Sequence, residues 1–183
     1  MTSFCRSLLI VVLCLAAVAA LAAPVMLQVT QKEGDMEKAI GKYMKDAHGL
    51  DFQAVPDEDG KGGLTLVMAM DSDKVPDFSS FIKSLPYQQD DKGTITQRAI
   101  VIGFVSGMKV PNEKRAAILE LMNTLNDGQD FTHLYIDKDN EIGFRWMFVV
   151  TPDGLPAGYI FNAMAYMMPA WEAAQPQLAK VLQ

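Results

Sequence analysis

Proton transfer or metal binding in this chain would have to start from His48 and His133, the only histidines in its 183 residues. The two lie far apart and fit the spacing of neither a metal site nor a catalytic triad. His48 falls where a helix is expected to end, and His133 alternates with Phe131 and Tyr135 as a strand residue would. Carboxylate pairs occur at Asp57/Asp59, Asp71/Asp73, Asp90/Asp91 and Asp137/Asp139. A calcium loop needs oxygen ligands at its first, third and fifth positions and glutamate at its twelfth. Counting from Asp57 the fifth position is Lys61, and counting from Asp137 the twelfth is Phe148, so turn carboxylates are expected instead.

Nucleophiles are equally unsupported. The run Gly60-Lys61-Gly62-Gly63 has glycine where a phosphate loop places a hydroxyl residue for magnesium. Ser106, within Gly103-Phe104-Val105-Ser106-Gly107, has its glycines misplaced for a nucleophile elbow. Glu141 and Asp153 are the carboxylates a hydrolase would draw on, but nothing beside them in sequence tunes their proton affinity. No cofactor or metal is expected.

The methionines are the more suggestive residues. Met164, Met167 and Met168, with Tyr159, Tyr166 and Trp171, exceed what one buried helical stripe requires. Thioethers fill irregular cores, and they also make adaptable protein-binding surfaces. Met164, Met167, Met168 and Trp171 are therefore candidate partner contacts, with core packing as the alternative.

Composition narrows the compartment and the partners. Arg6, the apolar run Leu8 to Ala23 and the small-x-small Ala20-Leu21-Ala22 form an export leader with a cleavage site near Ala23 or Pro24. The expected division is thus 1–23 signal peptide and 24–183 a single domain, periplasmic or secreted. The alternative is an uncleaved inner-membrane anchor over Leu8 to Leu27, long enough to span a bilayer. Cys5 and Cys14 both fall in the leader, so the mature chain has no thiol for disulfides, metal or catalysis. With 16 Lys and Arg against 22 Asp and Glu, the formal net charge is −6. Such an acidic surface disfavours nucleic acid and anionic membranes.

Periodicity supplies the elements. Thr30 and Glu33 have capping-box spacing, and Met36, Ile40, Tyr43 and Met44 recur at helical intervals before Gly49, predicting a helix from Gln31 to Ala47. Leu50, Phe52 and Ala54 alternate and pair with Leu64 to Met70 as a hairpin. Asp71 to Tyr87 resists assignment, with Pro76 and Pro86 bracketing Phe81 and Ile82. Thr94 to Met108 reads as a strand whose apolar centre, Ala99 to Val105, suggests burial on both faces. Asn112 is a suitable cap for a helix with the stripe Ile118, Leu121, Met122 and Leu125, from which Leu119 departs. Thr132 to Asp137 and Glu141 to Thr151 form a second hairpin, with Ile142, Phe144, Trp146, Phe148 and Val150 on one face. A last helix follows Pro156 and should kink or stop at Pro169. The result is an α+β fold, an antiparallel sheet with helices packed on it, in the order α-β-β-β-α-β-β-α.

The segment Val110-Pro111-Asn112-Glu113-Lys114-Arg115, followed by Ile118 to Asn126, resembles the YbjN family, of the sensory transduction regulator type. Leu134 to Ile142 looks like that family's strand, acidic turn and returning strand, with Asn140 where glycine is common, and Pro152-Asp153-Gly154 also fits. The likeness covers Val110 to Leu182. It implies the fold of type III secretion chaperones, which bind extended client segments and often dimerise through the middle helix. Here that helix is Asn112 to Asn126, with Leu119 as the candidate contact. Those chaperones are cytosolic while this chain has an export leader, so what carries over is the fold and a general role in protein interaction.

The expected function is a non-enzymatic, exported interaction or regulatory module that recognises another polypeptide or itself as a homodimer. No nucleic acid is expected, and no membrane beyond an N-terminal anchor. The alternatives are a periplasmic small-ligand carrier, with an apolar pocket between the sheet and the C-terminal helix, and a carboxylate hydrolase.

Overall fold

The computed structural model describes residues 23–58, 60–129 and 131–183. The expected leader, with Cys5 and Cys14, lies outside the described residues apart from Ala23, and so does Asp59 of the first acidic pair.

Helix α1 spans Asp35–His48 and begins later than the spacing predicts. The capping box is not made, because Glu33 pairs instead with Arg98 (3.1 Å) and the Thr30 carbonyl accepts from Arg98 Nε (2.8 Å). Gly34, at φ 81°, turns the chain into the helix, and Asp35 and Glu37 complement the positive end of its dipole. Gly49, at φ 69°, ends it as expected.

Six antiparallel strands follow: β2 (Gln53–Pro56), β3 (Leu64–Met70), β4 (Phe78–Gln89), β5 (Ile95–Lys109), β6 (Thr132–Ile136) and β7 (Glu141–Val150), in spatial order β2-β3-β4-β5-β7-β6. Numbering starts at two because a short β1 (Met26–Leu27) pairs with β8 (Leu155–Pro156) in a separate two-stranded ladder. Leu27 is buried in the core.

Strand β4 is the one the sequence conceals, so that four strands rather than three separate the first two helices of the order read from the sequence. Its core-facing positions are Phe78, Ser80, Ile82 and Ser84, all buried, and the two serines erase the apolar alternation. Ser80 Oγ donates to the Met68 carbonyl (3.3 Å). The Ser84 amide donates to buried Glu37 (2.6 Å), and its hydroxyl accepts from Arg98 (3.1 Å). Pro86 is tolerated because β3 pairs only as far as Lys83, which leaves an irregular edge beyond it.

The two-sided burial expected of β5 is met only in part, with Ala99 and Gly103 buried on the face away from the helices. Ile100, Ile102 and Phe104 are fully buried beneath the helices, whereas Val101 and Val105 are only half-buried on the opposite face. That face is covered by side chains laid over glycines rather than by a second layer: a Cβ at Gly103 would overlap the Phe81 ring, and one at Gly143 would overlap Tyr135. Among the described residues, three helices thus share one side of the sheet.

The middle helix opens as a 3-10 turn, Asn112–Lys114, before α2 (Arg115–Asp127), and Asn112 makes no capping bond. Ile118 and Met122 are buried as the stripe predicts. Asn140 closes the β6–β7 turn at φ 59°, a left-handed conformation that asparagine tolerates. Helix α3 (Gly158–Leu182) is continuous through Pro169 and Pro176, so it does not stop at Pro169. Both prolines are exposed, and Met167, Trp171, Ala174 and Leu178 anchor the helix on its buried side.

Candidate functional site

The two-residue period of β7 turns Trp146 and Phe148 toward the helices, yet both stay half-buried. The first turns of α3 pass them with Tyr159, Asn162, Ala163 and Tyr166, leaving an apolar groove of about 410 Å³ that Leu155 also lines. The rings form a ladder. Phe131 stacks on Trp146 with centroids 5.2 Å apart and planes 8° from parallel. Trp146 meets Phe148 at 5.2 Å and 20°, and Phe148 faces Tyr159 at 6.5 Å and 10°. Tyr166 stands edge-on to Trp146 at 5.5 Å and 73°. Tyr159 and Tyr166 are each 49% exposed and Phe131 56%. Exposed aromatic rings gathered in one place are the kind of surface on which binding sites are built.

The residues singled out from sequence lie elsewhere. Met164, Met167 and Trp171 are buried, Trp171 completely, with its ring 6.0 Å from Phe78 and 6.1 Å from Phe144. They are core and cannot serve as a docking face in this fold; Met168 is half-buried against the same core. Leu119 is 41% exposed on α2. Helical periodicity placed the right amino acids on α3 but could not say which of two apolar stripes meets the sheet. The signal for the groove was the pair Tyr159 and Tyr166, seven residues apart, opposite the Trp146/Phe148 alternation.

Several of the ionisable groups singled out from sequence are held by bonds or ring contacts within the fold. His48 stacks on Phe161 (3.8 Å, 2°) and lies 3.3 Å from the Tyr43 hydroxyl, tying the end of α1 to α3. His133 is exposed. Asp90 Oδ1 accepts from the amides of Lys92 and Thr94, and these bonds hold its carboxyl below the ordinary value. Asp137 Oδ1 accepts from the amides of Asp139 and Glu141 (both 2.8 Å). Burial pushes the Asp57 carboxyl up, but bonds from Lys83 and Thr65 and the Lys83 charge outweigh it and leave the net shift downward. Glu141 accepts from the Gly107 amide (2.6 Å) and pairs with Lys109 (3.3 Å). Asp153 is exposed. Ser106 Oγ donates to the Ile142 carbonyl (2.9 Å) and accepts from the Met108 amide (3.0 Å), shaping a bulge. Among the described residues, no three His, Cys, Asp or Glu side chains gather as a metal ion would need.

The groove is built from β7, β8 and the start of α3, which lie in the part of the chain where a family likeness is found. Residues 94–165 match the YbjN family model. That family is described as "Putative bacterial sensory transduction regulator". The YbjN match begins earlier than the likeness read from sequence, taking in β5, and ends within α3. It includes Trp146, Phe148, Tyr159 and Asn162, whereas Tyr166, Met167, Met168 and Trp171 fall beyond it. No curated protein matches the chain. A crystal structure of an uncharacterized protein from Methanothermobacter thermautotrophicus is similar at 15% identity over 79% of this chain and 96% of that one, with a TM-score of 0.42. Among the described residues, no helix is long and apolar enough to cross a membrane.

Proposed function

We propose that this chain is an exported, non-enzymatic regulatory module of the YbjN type that binds another polypeptide in the groove between β7 and α3. The observation that carries this reading is the partly exposed ring ladder of Phe131, Trp146, Phe148 and Tyr159 with Tyr166 beside it. Aromatic anchors supply most of the binding energy at protein interfaces, because they bury large areas at small cost in side-chain entropy. The description of the YbjN family supports a regulatory role, and the leader supports export. A photo-crosslinking residue at position 166 should capture a polypeptide in the cell envelope, while one at Met147 on the opposite sheet face should not. Equal capture from both positions, or none from 166, sinks the reading. Intact mass of the envelope protein tests export: loss of the first 22 or 23 residues is expected.

A small-ligand carrier is the second reading, favoured by the groove's volume, which falls within the range of small-molecule sites. Native mass spectrometry would show a retained small molecule. Leu119, exposed on α2, is the proposed contact for self-association. Leu119→Glu should then shift a dimer to monomer in analytical ultracentrifugation.

A further inference from the structure

Resting on the reading of the groove as a polypeptide site, we propose that its occupant is a β-strand of another polypeptide, added to the open edge of β7 with an aromatic side chain in the groove. Strand β7 is paired with β5 to its end, Arg98 opposite Val150. On the other side β6 pairs with it only as far as Thr132 opposite Trp146. The end of β7 is therefore a one-sided strand, and the added strand continues the line of β6, antiparallel to β7 as β6 is.

The backbone groups at that edge follow from the ladder. The Asp137 amide donates to the Glu141 carbonyl (2.9 Å) on the β6 side, and Ser106 Oγ donates to the Ile142 carbonyl (2.9 Å) on the β5 side. Direction alternates along a strand, so Gly143, Arg145, Met147 and Val149 turn their N–H and C=O toward the β6 side. In the β6 register Phe131 stands opposite Met147, so among the described residues Val149 is the first of these with no chain beside it. The added strand begins there and leaves the Met147 side chain, on the opposite face, outside it. An open edge of this kind is a template for a further strand.

The edge and the groove are the same place. Because β6 ends early, Trp146 and Phe148 stay half-buried on the helix side of β7, and Tyr159 and Tyr166 of α3 line the space before them. A residue opposite Phe148 forms a pair without main-chain bonds, the closer kind, and its side chain points to the same face, into the groove. Rings on the groove walls favour an aromatic side chain there, since aromatic pairs across strands are among the stabilising ones. Charge limits it further: the lining has no Lys, Arg, Asp or Glu, so a charged side chain would lack a partner. A second copy of this chain does not meet these terms through the sheet's other outer strand. Strand β2 turns Ala54 and Pro56 to the helix side and brings no ring.

The test is titration of the purified full chain with the peptide Thr-Val-Thr-Phe-Thr-Val-Thr, read by calorimetry and by hydrogen exchange at single amides. Saturable binding is expected, with slowed exchange at the Val149 amide and no change at Val150, whose amide already faces β5. Methylating the amide nitrogens of the two threonines beside the phenylalanine should weaken binding at least about tenfold, because those residues exchange main-chain bonds with Val149. Methylating the phenylalanine nitrogen, which faces away from β7, should not. Tyr166→Ala should weaken binding about tenfold at unchanged Tm; the methylated peptides carry the test on the unaltered chain should that variant unfold. Binding that survives threonine methylation, or that leaves Val149 exchange unchanged, overturns the inference, as does absence of saturable binding at millimolar peptide. Protection of Val149 that rises with protein concentration in the absence of peptide assigns the edge to a second copy and overturns it too. If the peptide fails while crosslinking from position 166 persists, only the added strand falls; if both fail, the polypeptide reading falls with it.

Discussion

Trp171 and Tyr166 lie on the same helix and have opposite duties. Removing the fully buried Trp171 ring empties space between Phe78 and Phe144, and Trp171→Ala should cost about 3–5 kcal/mol in urea denaturation. Tyr166→Ala, at a half-exposed position, should change stability by no more than about 0.5 kcal/mol. Similar losses for the two variants would mean that the groove is core. Glu172 reports on a different tie. Hydrogen bonds from Lys74 and Ser72 (2.7 and 2.8 Å) hold its carboxyl below the ordinary 4.5, fastening the β3–β4 connection to α3. A carboxylate whose folded value is lowered stabilises the protein above its unfolded value and loses that contribution as pH falls through the folded one. Glu172→Gln should therefore flatten the fall of Tm below about pH 4.5 without altering its slope near neutrality.

At the scale of elements, the outer edge of the sheet at β6 is closed by one residue of α2. Asn126 Oδ1 accepts from the Leu134 amide (2.7 Å) while its Nδ2 donates to the Leu134 carbonyl (3.2 Å), copying the bonds of a neighbouring strand. Sheet edges left open invite pairing with other chains. Asn126→Ala should cost about 1–3 kcal/mol by leaving those groups unmatched, and hydrogen exchange at the Leu134 amide should rise more than at its neighbours. The far side of the sheet follows a related economy, since Phe81 over Gly103 and Tyr135 over Gly143 cover backbone that no helix reaches. Gly103→Val should displace Phe81 at a cost of about 1–3 kcal/mol, visible as a lower Cm at unchanged m.

The described residues form a six-stranded sheet with helices on one face, and α3 completes the core from its first turns to its last. Ile160 and Leu178 are both fully buried although five helical turns separate them. Truncation after Met168 would remove Trp171, Ala174 and Leu178 together, and cooperative thermal unfolding should be lost.

Where burial is one-sided and periodic, the amino-acid order was enough: β7 from its alternation, the Ile118/Met122 stripe of α2, the Gly49 terminus of α1 and the α+β class all follow from local pattern. Where buried polar residues substitute for apolar ones, local pattern fails. Ser80 and Ser84 hid β4, and Glu33 left its expected cap because a buried Arg98, 65 residues away in sequence, required a carboxylate. The groove belongs to the same kind. Its aromatic residues were legible as types, and so was the apolar richness of α3. Which stripe of that helix meets the sheet, and hence whether Met167 and Trp171 or Tyr159 and Tyr166 face outward, depends on docking against β7, and only tertiary packing decides it.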